Sequence, residues 1–250
     1  MAEDLVKLRQ RYLRRPISMK ELERRWTAIR TEMKKQDIDC LIMQGNQMYM
    51  GGYPRYFTDF PAECAYPLTV IFYLDGGMSM ISHGGPPLAP LPQWAVPGVT
   101  NRITRPYYTT FNFTATDEPE AAIEDIKKHS VKRLGWVSKQ IIFFAFGEYI
   151  KENLPGVQMV DATDLVDEIK AGKSEEEQEL IKGTAAMQDK VMAAVPSLIK
   201  PGMREYELRA AVKHLAVNLG SEEQWIMVGT APAGTATPIK FTFLQNLEIE

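Results

Sequence analysis

Residues 164–219 read DLVDEIKAGKSEEEQELIKGTAAMQDKVMAAVPSLIKPGMREYELRAAVKHLAVNL, and the reading of this stretch decides the fold. A short helix ends near Ala171-Gly172. Ser174 stands three residues before Glu177, the spacing at which a hydroxyl and a carboxylate satisfy the free N–H groups of a helix start. Leu180, Thr184, Met187, Val191, Val195 and Leu198 then recur at steps of three and four, which puts them on one face of a helix. Pro196 falls inside that pattern and is expected to kink or thin its last turn. Pro201-Gly202 stops the helix, and a second one is expected from Glu205 to Leu219. By itself the stretch is two amphipathic helices joined by a sharp turn, a pair suited to covering a sheet.

Upstream, strands and helices alternate. Ser18 can cap a helix running to about Gln36, with Leu22, Trp26, Ile29 and Met33 as its apolar stripe. Cys40 to Met43 is a continuous apolar run, the kind buried on both faces of a sheet. Pro67 to Leu74 and Met78 to Ser82 flank Asp75-Gly76-Gly77 and read as a hairpin. Strands are expected at Val99–Thr104, Leu134–Val137 and Val157–Val160. Asp117 can cap a helix to about His129, and Gln140 to Asn153 reads as a helix facing Phe143, Phe146 and Ile150 inward. Such alternation predicts an α/β fold with a mixed sheet flanked by helices.

Between these elements lie three irregular segments. Gly45 to Phe60 carries Tyr49, Tyr53, Tyr56, Phe57 and Phe60, with Arg55 and Asp59 among them. Gly51-Gly52 and Pro54 argue against a regular helix there. The segment either packs over a core or walls a cleft whose polar groups hold a small substrate. Residues 84–98 carry five prolines around Trp94, so an ordered surface loop is expected; its Trp either anchors an interface or folds back. Residues 107–116 are aromatic and threonine-rich without a clear period. After Gly220, Trp225 to Val228 reads as a strand and residues 229–238 as a small-residue loop; Phe241 begins a further strand or loop.

Bulk properties narrow the function classes. The 250 residues suffice for one large or two ordinary domains, and 45% hydrophobic content can build a substantial core. A formal charge of −3 asks for neither nucleic acid nor an acidic membrane surface. Cys40 and Cys64 show neither metal spacing nor a disulfide framework, which fits the cytoplasm. No apolar run is long enough to span a bilayer. The first residues, MAEDLVKLRQRYLRRP, lack an apolar core and read as a basic helical arm over 1–17, free or used as a subunit contact. No glycine-rich phosphate loop follows a strand.

Lys170 before Ser174-Glu175-Glu176-Glu177, the run from Ile181 to Met187, Ile199-Lys200-Pro201-Gly202, and Glu205-Tyr206-Glu207-Leu208 together resemble the start of the catalytic domain in the creatinase and aminopeptidase P family. Arg55 to Phe60 also resembles the loop after the first strand of that family's N-terminal domain, with Asp59 where Gly is common. Two departures are visible: Arg204 replaces the usual Thr at a helix cap, and no histidine follows Gly229. The resemblance implies a creatinase-like N-terminal domain over residues 18–162 and a partial α+β pita-bread domain over 163–250. It also implies Xaa-Pro aminopeptidase or creatinase-type hydrolysis of a peptide or amide-like C–N bond by a homodimer acting on a small molecule or short peptide. Amidinohydrolase or C–S lyase chemistry, and a non-catalytic binding module, are the alternatives on the same scaffold. Arg55, Tyr56, Asp59 and Trp225 are the candidates for lining the substrate cleft.

The implied chemistry uses two divalent ions, manganese, cobalt, zinc or iron, held by two aspartates, a histidine and two glutamates. In the resembling proteins these ligands follow the segment matching 225–250. Here the last aspartate is Asp189 and the last histidine His214, so the chain is expected to stop short of them and to bind no metal itself. His83, His129 and His214 form no ligand pair, and Glu175, Glu176, Glu177 and Glu179 read as a solvated first turn favouring the helix dipole.

Overall fold

A computed structural model describes residues 7, 9–11, 15–49, 52–61, 65–84, 95–107, 116–232, 234–237 and 245–249. Cys64, Trp94 with Pro86, Pro87, Pro90 and Pro92, most of the aromatic segment 107–116, and Phe241 lie outside the described residues. The chain forms two compact units, Met1–Gly172 and Lys173–Glu250.

The first unit is built on a six-stranded mixed sheet. Its strands are β1 (Cys40–Gly45), β2 (Leu68–Tyr73), β3 (Met78–His83), β4 (Val99–Arg105), β5 (Arg133–Trp136) and β6 (Gln158–Asp161), in the order β4-β3-β2-β1-β5-β6. The expected hairpin is present: β2 pairs antiparallel with β3, and also with β1. The pairs β3–β4, β1–β5 and β5–β6 are parallel. All six residues of β1 are buried. Leu41 and Met43 enter the core on one face, and Cys40 and Ile42 the core on the other, which is why the run reads as continuously apolar.

Helices cover both faces. On the first lie α1 (Met19–Lys35), α2 (Gly52–Thr58) and α5 (Thr163–Ala171); on the second lie α3 (Asp117–Lys128) and α4 (Phe144–Asn153). The Ser18 hydroxyl accepts the Glu21 N–H at 3.1 Å and starts α1, whose Leu22, Trp26, Ile29 and Met33 are buried as the stripe predicts.

Three local expectations are corrected. Residues 52–58 form a helix, not an irregular loop. Gly52, at φ 53, supplies the left-handed entry, and Pro54 sits in the first turn, where a missing N–H costs little. In α3, Thr116 holds the cap position, with no side-chain capping bond, and Asp117 is the first helical residue. Helix α4 starts at Phe144; residues 139–141 form turns before it. Helix α5 buries Leu165 and Val166 in the core of the first unit.

The second unit contains α6 (Glu175–Leu198) and α7 (Glu205–Asn218). The capping box at Ser174 closes as its spacing requires: Glu177 N–H donates to Ser174 Oγ at 3.2 Å, and Ser174 N–H to Glu177 Oε2 at 2.9 Å. Helix α6 continues past Pro196 to Leu198. Val191, Val195 and Leu198 pack with Leu208, Val212 and Ala216 of α7, whereas Leu180, Thr184 and Met187 stay half-buried or exposed. Arg204 has no acceptor with which to cap α7. Instead, backbone carbonyls of Gln245 and Leu247 take the Tyr206 and Glu205 N–H groups at 2.9 and 3.0 Å. Residues 225–228 are not a strand. Their apolar pattern is strand-like, but among the described residues no neighbouring strand pairs with them, so only Ile226 and Val228 turn toward the helices.

Candidate functional site

Three of the four sequence-derived candidates, Arg55, Tyr56 and Asp59, come together at the C-terminal end of α2. Helix α1 builds this end. Arg25 donates to the Tyr56 carbonyl at 3.0 Å and Trp26 Nε1 to the Phe57 carbonyl at 2.8 Å. Two last-turn carbonyls of α2 are thereby satisfied, one of them by a cation suited to the negative end of the helix dipole. Arg25 is itself held by Glu21 at 2.8 Å, and its guanidinium lies 4.3 Å from the centre of the half-buried Tyr56 ring. Arg55 is also half-buried; its carbonyl accepts the Asp59 N–H at 2.8 Å.

Asp59 is a positioning group. It occupies the left-handed region at φ 55, where a short polar side chain is tolerated. Its carboxylate pairs with Arg9 and accepts the Ile17 N–H at 2.9 Å. Arg9 is 3% exposed and Asp59 8%, so the pair is taken out of water and ties the segment before α1 to the turn after α2.

Helix α5 completes the cluster with groups the sequence reading did not select as site residues. The Tyr53 hydroxyl donates to Asp167 Oδ1 at 2.8 Å, and Lys170 Nζ lies 4.0 Å from the Tyr53 ring centre and 5.5 Å from that of Tyr56. Burial, helped by the Asp167 carboxylate, pushes the Tyr53 phenol up to about 12. Arg25 and Lys170 thus both approach the Tyr56 ring, and Lys170 also the Tyr53 ring. Lys170 stood in the motif that opens the resemblance, a signal that could have singled it out; Tyr53 and Asp167 are far apart in sequence and carried no shared signal.

Trp225 belongs to the second unit and is 67% exposed there. The small-residue loop that follows it is anchored by Glu205, a fully buried carboxylate at the start of α7. Both the N–H and the hydroxyl of Thr230 donate to Glu205 Oε1 at 2.7 Å.

A two-metal centre does not fit the described residues. Among them, no group of three or more His, Cys, Asp or Glu side chains converges to hold an ion. The histidines are separately placed. His129 stacks on Tyr73 with ring centres 3.7 Å apart, His83 lies 5.0 Å from Tyr66, and His214 Nε2 meets Asn218 Nδ2 at 3.0 Å.

The six-stranded mixed sheet with helices on both faces defines the class: this is the creatinase-like α/β fold found in prolidases and Xaa-Pro aminopeptidases. Particular structures that share it are the Xaa-Pro dipeptidase from Bacillus anthracis, with 14% identity, a TM-score of 0.61, and coverage of 88% of this chain and 57% of that one. The prolidase from Pyrococcus horikoshii matches at 18% identity and TM-score 0.60, over 91% of this chain and 57% of that one. The X-Pro aminopeptidase from Thermotoga maritima matches at 14% and 0.60, over 79% and 50%. Identities this low establish the fold. The chain spans 50% to 57% of the length of these structures. No protein-family model and no curated protein sequence matches it.

Proposed function

We propose that this chain supplies the creatinase-like N-terminal domain and the first part of the pita-bread domain of a metal-dependent hydrolase. The substrate class is a peptide or amide-like C–N bond of the Xaa-Pro type. The observation that carries this reading is the extent of the fold likeness: a match over 91% of the chain extends beyond the first unit, which ends at Gly172. In this reading Arg55 and Tyr56 present a charged and aromatic wall to a short peptide, and Asp59 holds that wall in place through Arg9. Trp225, exposed in the second unit, is the remaining candidate for a substrate contact. Two divalent ions, manganese, cobalt, zinc or iron, are held by ligands outside the described residues, and the protein works as a cytoplasmic homodimer. Among the described residues no helix is long and apolar enough to cross a membrane.

Metal-dependent release of proline from Xaa-Pro dipeptides by the polypeptide carrying this sequence tests the proposal. Arg55→Ala is expected to lower kcat/KM about tenfold while leaving the thermal midpoint within a degree or so. Proline release that ignores chelators would sink the metal-dependent reading, and unchanged kinetics would remove Arg55 from the site. Tight stoichiometric metal binding by residues 1–250 alone would overturn the placement of the ligands.

A second reading, a non-catalytic binding module, draws on the exposed apolar side chains of the second unit: Ile181, Met192, Trp225 and Leu247. It predicts no proline release under any metal, and a partner whose binding is lost in Trp225→Ala.

A further inference from the structure

A cavity of about 320 Å³ opens in the first unit at the start of α4, apart from the α2 cluster. It is lined by Trp136, Phe143, Phe144, Lys139, Lys151 and Glu148. Its size lies at the small end of ligand sites, which suits a single ring and its substituent.

Three features give it a chemical character. The first is aromatic: Phe143 and Phe144 stand together at the rim, and Phe144 is 77% exposed. A bare phenyl ring beside a concave surface is an unfilled stacking face. The second is electropositive. Helix α4 begins here; the N–H of its cap residue Phe143 is taken by Gln44 Oε1 at 2.9 Å, but Phe143 offers no side-chain acceptor to the first-turn N–H groups, which form the positive end of the dipole. Its lining carries two lysines and one glutamate. Lys139 already pairs with Asp161 at 3.1 Å, whereas Lys151 forms no ion pair among the described residues. The third is an unmet donor. Trp136 is 3% exposed, and among the described residues its indole N–H finds no acceptor. A buried donor without a partner costs free energy, which an acceptor brought by a ligand recovers.

An aromatic face, a positive helix end, and, among the described residues, a lysine outside any ion pair and an N–H without an acceptor call for one kind of molecule: a flat apolar ring carrying an anion. We propose that this cavity binds small aromatic carboxylates, with the ring against Phe143 and Phe144 and the carboxylate toward Lys151 and the α4 N-terminus. The site is independent of the hydrolase reading and stands or falls without it. A neutral ring would leave the positive end uncompensated, and an aromatic amine would oppose it.

Titration of the ¹⁵N-labelled protein with benzoate tests the site, with benzyl alcohol and benzylammonium as neutral and cationic counterparts. The Trp136 indole resonance is assigned by its loss in Trp136→Phe. Benzoate is expected to shift that resonance and the Phe144 amide saturably in the millimolar range. Lys151→Met, a change at the surface, is expected to weaken benzoate about fivefold and to leave benzyl alcohol unaffected. If Trp136→Phe does not fold, the Phe144 and Lys151 amides carry the same reading. Absence of a saturable benzoate shift overturns the site. Equal affinity for benzyl alcohol, or no effect of Lys151→Met, overturns the anion assignment. Shifts that follow protein dilution rather than benzoate identify a self-association surface and overturn it as well.

Discussion

Tyr53 and Asp167 join two helices that are far apart in the sequence: the phenol at the start of α2 donates to the carboxylate in the middle of α5 at 2.8 Å. Lys170, one turn along α5, covers the same ring from 4.0 Å. Because the acceptor is charged, the bond is worth more than a neutral one, while its partial exposure limits the gain. Tyr53→Phe is expected to cost about 1 kcal/mol, read as a lower urea midpoint with unchanged slope. Asp167→Asn tests the electrostatics directly. The carboxylate helps burial raise the Tyr53 phenol to about 12, so its removal should bring the phenol back toward 10 in an ultraviolet titration. A Tyr53 titration indifferent to Asp167→Asn would mean that the bond is not formed in solution.

Asp59 illustrates how a residue selected as a substrate contact can act through its neighbours. Its carboxylate is directed at Arg9 and the Ile17 N–H, inside the protein. Asp59→Gly relieves the left-handed backbone but leaves the Arg9 guanidinium buried and short of its counter-charge. Such a loss costs about 3 kcal/mol, far more than the strain it removes. The thermal midpoint should therefore fall clearly in Asp59→Gly, and a double variant Arg9→Met, Asp59→Gly should recover much of the loss. If the single variant is as stable as the parent, the ion pair contributes nothing and the turn after α2 is held by other contacts.

What was legible in the sequence was local. The Ser18 and Ser174 caps, the stripe of α1, the doubly buried β1 and the β2–β3 hairpin each depend on residues within a few positions of one another, and all are present. Helix α2 was read as a loop because its carbonyls are capped from α1, a partnership between residues 31 apart that no window over 45–60 contains. Residues 225–228 failed in the opposite sense: the pattern is strand-like, but a strand exists only where a neighbour pairs with it. Of the candidate site, the closeness of Arg55, Tyr56 and Asp59 along the chain was visible in advance; that they stand at the end of a short helix was not. The role of Asp59 was not, since its ion-pair partner is 50 residues away. Nor was the cavity at α4, which needs the sheet to bring Trp136 beside Phe143.

Glu118 predicts a pH dependence of stability. It is buried in the first turn of α3, where the Thr69 hydroxyl and Gln44 Nε2 donate to its Oε1. Burial raises its pKa from 4.5 to about 7, even though those two bonds pull the other way. The folded state therefore holds this proton more tightly than the unfolded state does. The stabilisation is complete below about pH 4.5 and is lost as pH rises through about 7. The full effect is on the order of 3 kcal/mol. Urea midpoints measured across that window should decline more steeply in the parent than in Glu118→Gln, which cannot ionise. Parallel pH profiles for the two proteins would show that Glu118 does not titrate in this range.

Glu205 offers the corresponding test in the second unit. One carboxylate oxygen accepts two donors from Thr230, backbone and hydroxyl, each at 2.7 Å, and so fixes the first residues of the loop after 228 to the start of α7. Glu205 is also a first-turn acid, favoured by the helix dipole. Glu205→Gln keeps an oxygen for both donors and is expected to be mild. Glu205→Ala removes the acceptor, leaves the two Thr230 donors without it and costs about 2 kcal/mol. Hydrogen exchange locates the effect: the Thr230 amide should lose protection in Glu205→Ala and keep most of it in Glu205→Gln, while the β1 amides of the first unit are unchanged in both. Equal protection of Thr230 in the two variants would mean that the loop is held by its own turn rather than by this carboxylate.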